Sequence, residues 1–334
     1  MRPPPPMPEA ALRPSRPPSA GWLDALRGSG AAIALLALLA FNLAATDSFV
    51  TLQTLNVNLT QVAPIVIVAV GMALVIGTGG IDLSVGASAS IAGTLAAVFL
   101  SQSSGPLADP RLALACAVTL PLVAAALAGS VNGVLVTRYA IQPIVATLIL
   151  FIAGRGIAEM VTDSNLRNFT HAGFARIGGN VAGVPLQGLL MLVVVAAAAW
   201  VVRATVFGRH LLAIGGNERA ARLAGVDAGR IKFAVYVACA VLAGVAGLLN
   251  VAINSAADPA KIGLGIELDA IAAVAVGGAP LSGGRVRIVG TLLGALAIQL
   301  LDYSLLAHGV ADEWALVAKA GVVLVAVYLQ RRSA

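Results

Sequence analysis

The chain of 334 residues has little charge, few aromatic side chains and only two cysteines. Charged residues make up 11% of it and hydrophobic residues 59%, whereas charged residues form about a quarter of a soluble globular domain. This composition excludes a soluble domain and predicts a polytopic membrane protein. Aromatic residues contribute only 4% while glycine numbers 36, which is typical of membrane helices packed through small side chains.

The sequence also lacks the common nucleotide-binding, catalytic and metal-binding motifs. No lysine follows a glycine, so a Walker A loop is excluded, and with it ATP hydrolysis by this polypeptide. The catalytic motifs GxSxG, HExxH and CxxC are absent too, so nothing points to a membrane enzyme. Cys116 and Cys239 lie in apolar runs as small hydrophobic residues, and the three histidines are scattered, so we expect no metal and no cofactor. The net charge of +6 resides in loops and tails, which indicates membrane orientation and not nucleic-acid binding.

Apolar windows predict about ten transmembrane helices within residues 29–330, since about 20 residues cross the hydrocarbon. The windows are 29–46, 57–77, 85–101, 112–137, 143–160, 187–207, 232–253, 269–280, 288–306 and 313–330. The window 269–280 is short enough to be re-entrant. Residues 161–186 form the largest external loop. Clustered basic residues place a Pro-rich disordered tail, residues 1–28, and the C-terminal residues 331–334 in the cytoplasm.

Residues 208–232 form a polar segment, which the basic residues place in the cytoplasm. Asn217 predicts the N-cap and Gly225 the left-handed end of a helix of about two turns. Its residues Ala220, Leu223 and Ala224 share one face, which suits insertion into a partner's groove. A solvated loop helix between two spans is the alternative.

Two glycine-rich octets, residues 79–86 and 277–284, are each followed by a Gly-Thr-Leu sequence, which predicts two related halves. Asp82 and Ser84 in the first octet are expected to cap the third span, a role compatible with substrate contact. Among the charges at membrane depth, Arg155 is expected to pair with Glu159 four residues later, and Asp302 either to pair with Lys319 or to lie at an interface.

Neutral amides at membrane depth suit a hydroxyl-rich solute, because an amide both donates and accepts hydrogen bonds. They also serve as contacts between membrane helices, so two interpretations stay open. The predicted substrate pathway comprises Asn58, Gln61, Gly79, Gly80, Asp82, Ser84, Asn132, Gly277, Gly278 and Ser282.

Four stretches carry a family resemblance: GMALVIGTGGIDLSVGAS, NGVLVTRYAIQPIVATLILFIAGRGIA, GRHLLAIGGNERAARLAGV and ELDAIAAVAVGGAPLSGG. In this order and spacing they resemble the permease subunits of bacterial ribose-type monosaccharide ABC importers. The match covers about residues 50–330, and the RGIA run is most similar to the galactofuranose permeases. The Pro-rich tail departs from the pattern.

The resemblance implies an all-α permease of the bacterial inner membrane, with both termini cytoplasmic. It implies three protein partners: an ABC ATPase subunit, a periplasmic sugar-binding protein and a second permease subunit, either a copy or a paralogue. Membrane lipid surrounds the permease. Together with the helix face formed by Ala220, Leu223 and Ala224, the resemblance implies the following ATPase-coupling residues: Gly215, Gly216, Asn217, Glu218, Ala220, Ala221, Leu223, Ala224 and Gly225. A secondary carrier or facilitative channel is the alternative, against which the scarcity of membrane carboxylates and the docking-type loop argue.

Overall fold

The computed structural model describes residues 30–102 and 109–331, and this part of the chain is mostly helical. The predicted tail, residues 1–28, and the last three residues lie outside it. The helices are α1 Gly30–Ala45, α2 Leu52–Gly77, α3 Val85–Ser101, α4 Pro110–Thr137, α5 Pro143–Thr162, α6 Ala172–Ala175, α7 Leu186–Ala204, α8 Val206–Gly216, α9 Glu218–Leu223, α10 Ala228–Asn254, α11 Ile266–Val276, α12 Ile288–Ala307 and α13 Asp312–Arg331. The expected all-α membrane architecture is confirmed.

Six of the described helices are long and apolar enough to cross a membrane, namely α2, α4, α5, α7, α10 and α12. Helices α1 and α3 are apolar but shorter. Helix α11 has only 11 residues. At 1.5 Å per residue it spans about 16 Å, roughly half of the hydrocarbon thickness. The piece predicted at 269–280 is therefore too short to cross the membrane as a helix.

Helix α2 lies at the centre of the bundle. From Val62 to Gly77 every residue is buried except Ile65, which is partly buried. Helices α7, α10, α11 and α12 pack around it, and α8 contacts its end. This explains why its sequence is apolar on all sides and not amphipathic, as is expected of a helix enclosed by other helices. Pro64 lies inside the helix, where the surrounding packing tolerates it.

Short strands order the segment that the sequence predicts as the external loop. Strand β1, Arg167–Asn168, pairs antiparallel with β4, Ala256–Ala257, and β2, Asn180–Val181, pairs with β3, Val184–Pro185. A 3₁₀ turn at Arg176–Gly178 follows α6. The loop is therefore tied to the segment after α10 and is more ordered than its polar sequence indicates.

The two predicted ion pairs have different outcomes. Lys319 Nζ lies 2.8 Å from Asp302 Oδ2, which confirms that pair, and 3.0 Å from Asp269 Oδ1, which adds α11 to the contact.

The pairing of Arg155 with Glu159 is wrong. Arg155 donates instead to the carbonyl oxygens of Ile262 and Gly263, at 3.2 and 2.8 Å. These carbonyls belong to the non-helical segment before α11, whose backbone lacks regular helical partners, and Glu159 is exposed. Of the two free cysteines, Cys239 is buried as expected and Cys116 is only partly buried.

Candidate functional site

The polar segment folds as two short helices, not as a loop with one. Helix α7 ends at Ala204, three residues before the end of the span predicted from the sequence. The hydroxyl group of Thr205 accepts a hydrogen bond from Gly208 N at 3.2 Å, which caps α8. This cap starts a new helix because it satisfies one of the amides at the start of α8. Helix α8 then leads directly into α9.

Helix α9 begins and ends as its sequence predicts. The Asn217 side chain accepts a hydrogen bond from Ala220 N at 3.0 Å, which confirms the N-cap. Gly225 has a φ angle of 83°, the left-handed conformation that glycine adopts without strain. The helix covers Glu218–Leu223, slightly under two turns.

The two faces of α9 differ sharply in exposure. Ala221 is only 5% exposed and forms a small apolar cluster with Ile214 of α8 and Ala228 of α10. On the other face Leu223 is 90% exposed, and Ala220 and Ala224 are exposed beside it. We call Ala220, Leu223 and Ala224 the ridge. Because Ala221 packs against α8 and α10, the opposite face of α9, which carries the ridge, is exposed.

Charged side chains fasten α9 to α10. Glu218 accepts hydrogen bonds from Arg222 Nη2 at 2.8 Å and from Lys232 Nζ. Burial acts to raise the pKa of Glu218, but the bonds and positive charges of Lys232 and Arg222 outweigh it and hold that pKa below its ordinary value of 4.5. Glu218 is therefore ionised at neutral pH and links the helix to the start of α10.

The end of α8 touches two other backbones directly. A Cβ atom at Gly215 would overlap the carbonyl oxygen of Gly77 and the nitrogen of Gly284. Gly284 N in turn donates to Gly77 O at 3.1 Å. We call Gly77, Gly215 and Gly284 the glycine junction. It brings the end of α2 and the segment after α11 into contact with the helix that carries α9, with no side chain between them.

Helices α2 and α11 end with the same geometry. Gly79 and Gly278 have φ angles of 82° and 81°. The amide after each glycine bonds to a carbonyl five residues earlier, Gly80 N to Val75 O and Ala279 N to Val274 O, both at 3.2 Å. This is the Schellman arrangement. The equivalent of Gly79 is therefore Gly278, so the octet alignment that pairs Gly79 with Gly277 is one residue out of register.

A buried polar cluster follows the first of these ends. Asp82 Oδ1 accepts from Ser84 N at 2.9 Å and from Ser84 Oγ at 2.6 Å, and Asn132 Nδ2 donates to Ser84 Oγ at 2.8 Å. All three side chains are fully buried. Asp82 thus bonds Ser84, the residue before α3, but neither side chain bonds an amide of the first turn of α3, so the expected capping is not seen. In this conformation the cluster is closed to a solute.

The remaining amides of the predicted pathway lie elsewhere. Gln61 accepts from Gln299 Nε2 at 2.9 Å, a contact between α2 and α12, and Asn58 donates to Thr54 O at 2.9 Å within α2. Nineteen residues of α2 separate Asn58 from Gly77, which is about 28 Å of helix. The residues of the predicted pathway therefore lie in three separate regions of the structure. These are the amides Asn58 and Gln61, the two glycine-rich helix ends with Ser282, and the buried cluster that contains Asp82.

Sequence reasoning missed two residues of this region. Gly77 precedes the octet and has no partner in the repeat, so only its three-dimensional contact with Gly215 distinguishes it. Tyr236 of α10 places its hydroxyl where a Cβ of Gly80 would stand, and that hydroxyl is buried without a protein hydrogen-bond partner among the described residues. A tyrosine inside an otherwise apolar run is the signal that could have singled it out.

This bundle of apolar helices, with short polar helices on one end, is that of a multi-pass membrane protein. Residues 55–327 match the family described as "Branched-chain amino acid transport system / permease component", and the chain belongs to this family. No solved structure matches the chain. The family is that of a permease component of ABC importers, so ATP hydrolysis lies on a separate subunit, as the missing Walker A predicts.

Curated relatives of similar length support the assignment of the chain to this permease family. The chain is 39% identical to the ribose import permease protein RbsC of Escherichia coli (strain K12), over 90% of this chain and 92% of the relative. It is 38% identical to the galactofuranose transporter permease protein YtfT of the same strain, over 81% and 78%. It is 34% identical to the fructose import permease protein FruF of Bifidobacterium longum, over 76% and 71%. The resemblance to ribose-type sugar permeases is confirmed.

Proposed function

We propose that this chain is the transmembrane subunit of an ABC importer that moves a monosaccharide, galactofuranose or a ribose-like sugar, into the cytoplasm. The observation that carries the proposal is the ridge on α9. A leucine 90% exposed on a capped and braced helix outside the membrane spans is a surface suited to a protein partner. The sugar substrate rests on the relatives, which are named for ribose, galactofuranose and fructose.

The partner on the ridge is the ATPase subunit. Basic residues crowd the end of the bundle that carries α8 and α9, namely Arg203, Arg209, Arg219, Arg222, Arg230 and Lys232. By the positive-inside rule this end faces the cytoplasm, where ATP is available, and both termini lie on the same side. The opposite end, with β1 to β4, faces the periplasmic sugar-binding protein. A second permease subunit, a copy or a paralogue, completes the transport cavity in the inner membrane.

The glycine junction is the route by which movement of α9 reaches the membrane helices. Helix α9 is joined to α8 by Asn217 alone and packs against it through Ala221 and Ile214, so the two helices move together. At Gly215 the backbone of α8 touches Gly77 and Gly284. Backbone contacts this close leave no space to absorb a displacement, because packed interiors are not continuously deformable. Closure of the ATPase would thus shift the ends of α2 and α11.

Reconstitution tests the class of transporter. Liposomes with this chain alone should show no sugar uptake, and liposomes that also contain its ATPase subunit, with the binding protein supplied, should take up sugar only with ATP. Uptake by the chain alone, driven by a proton or sodium gradient, would overturn the proposal in favour of a secondary carrier.

Substitution on the ridge tests the docking face. Ala220→Arg adds bulk and charge to the ridge, so it should abolish both ATP-coupled uptake and co-purification of the ATPase, while membrane insertion is kept. Ala213→Arg on the exposed side of α8 is the matched control, because it adds the same charge on the same side of the membrane but away from the ridge. Uptake that survives Ala220→Arg would mean that the ATPase docks elsewhere.

A further inference from the structure

A cavity of about 370 Å³ lies beside the glycine-rich end of α11 and has no part in the proposed sugar pathway. It is enclosed by the first turn of α1, the last turns of α7 and the start of α12. Most of its wall is apolar, and two arginines complete it. The lining residues central to the argument are Ala31, Val202, Arg203, Arg287, Val289 and Leu293.

The cavity lies at the edge of the membrane. Arg203 is in the last turn of α7, three residues before α8 begins the extramembrane part. Arg287 directly precedes α12, which is apolar from its first residue. The arginines therefore lie at headgroup level, and Val202 and Leu293 extend the cavity toward the hydrocarbon.

The electrostatics of the cavity favour an anion. Among the residues that the structure describes, no aspartate or glutamate lines it, and the exposed side chains of Arg203 and Arg287 border it. The first turn of α12 also contributes, since Val289 and Gly290 line the cavity and no side chain caps the N-terminus of this 20-residue helix. The amides of a helix N-terminus carry partial positive charge and attract phosphate groups.

We propose that this cavity binds the phosphate headgroup of an anionic phospholipid from the leaflet on the side of α9. The two guanidinium groups and the amides of α12 would hold the phosphate, and an acyl chain would lie along Val202 and Leu293. Basic pockets between membrane helices on the cytoplasmic side bind anionic lipid headgroups in this way. A free phosphate ion would satisfy the arginines but would leave the apolar wall uncovered, so a lipid is the better occupant.

A bound lipid would also act on the second glycine-rich helix end. Arg287 Nη1 lies 3.3 Å from the position of a Cβ atom at Gly278, the glycine on which α11 ends. The same guanidinium thus faces both the cavity and this helix end. A headgroup held in the cavity would lie beside this helix end, and lipid composition would in turn influence the segment after α11.

Lipid retention measures the site directly. The purified protein would be extracted from membranes that contain phosphatidylglycerol and phosphatidylcholine, and the retained lipid would be counted by native mass spectrometry. We expect wild type to retain phosphatidylglycerol selectively and Arg203→Gln to bind it about fivefold more weakly, as expected for the loss of one basic residue near an anionic surface. Val289→Trp, which fills the cavity from its exposed wall, should abolish retention without removing a charge.

The matched control is Arg209→Gln, an exposed arginine of α8 on the same side that does not line the cavity, and it should retain lipid like wild type. Equal retention by wild type, Arg203→Gln and Val289→Trp would overturn the proposal, as would retention of phosphatidylcholine at the level of phosphatidylglycerol. Thermal stabilisation of the delipidated protein by inorganic phosphate, to the extent given by phosphatidylglycerol, would identify a free anion as the occupant and also contradict it.

Discussion

Helices α2 and α11 end in the same capping geometry, on Gly79 and Gly278, but the segments that follow them are held in different ways. After Gly79 the chain enters the fully buried cluster of Asp82, Ser84 and Asn132. After Gly278 the side chain of Ser282 is exposed, and so are those of two arginines before α12. The first segment is fixed by buried hydrogen bonds and the second by contacts of its backbone.

The difference indicates which end can move. Displacing the first segment would break hydrogen bonds between fully buried side chains, where each unsatisfied polar group is costly. Displacing the second segment would exchange backbone contacts at Gly283 and Gly284 near the end of α2 and apolar contacts of Leu281 and Val286. We therefore expect the conformational change of transport to concentrate between Gly278 and the start of α12, with the first segment as a fixed reference.

The largest expected effect on stability comes from Asp82→Ala. It leaves the buried amide and hydroxyl of Ser84 without their shared acceptor, which should cost about 3 kcal/mol or more. The measurement is the thermal unfolding temperature of the detergent-purified protein. Ser282→Ala in the second segment is the control and should leave this temperature unchanged, since its side chain is exposed. Equal losses in both variants would remove the distinction between the two segments.

An intermediate effect is expected at the two capping glycines. Gly79→Ala and Gly278→Ala each place a Cβ in the left-handed region, which costs about 1–2 kcal/mol. Gly79→Asn and Gly278→Asn should recover part of that loss, because asparagine adopts this conformation more readily. The measurement is the thermal unfolding temperature of each of the four variants, compared with that of wild type. A loss at Gly278 with none at Gly79 would show that the two helix ends do not share one capping geometry.

The smallest effect is expected for Glu218→Gln, which weakens the contacts with Arg222 and Lys232 by about 1 kcal/mol or less in total. The folded pKa of Glu218 lies below 4.5, so its contribution is present above pH 4.5 and is lost as the pH falls through the lowered value. Amide exchange of residues 218–223 should therefore be faster in the variant than in wild type at neutral pH. A difference between the two proteins that persists in strong acid would contradict the assignment of the ion pair.

Local chemistry was predictable from the sequence. The cap of Asn217 and the left-handed Gly225 follow from residue type alone, and the structure has both. Pairing of Asp302 with Lys319 was one of two alternatives, since charges at membrane depth need compensation, and the structure has the pair. The ridge of α9 also followed from helical spacing, and the structure exposes it.

Contacts between distant backbones were not predictable. Gly215 was assigned to coupling by resemblance, but its contact with Gly77 and Gly284 depends on how three helix ends converge. Arg155 was assigned to a near neighbour because spacing reveals only local partners, whereas its acceptors are carbonyls more than 100 residues away. The register between the octets likewise needed the φ angles of Gly79 and Gly278.

The glycine junction is tested most directly by comparing Gly215→Ala with Gly216→Ala in the reconstituted complex of permease, ATPase and binding protein. A Cβ at Gly215 meets two backbones, whereas one at Gly216 has no atom within 4 Å, so the neighbouring residues form a matched pair. We predict that Gly215→Ala retains ATP hydrolysis but loses ATP-driven sugar uptake, while Gly216→Ala keeps both. Normal uptake by Gly215→Ala would contradict transmission through the glycine junction.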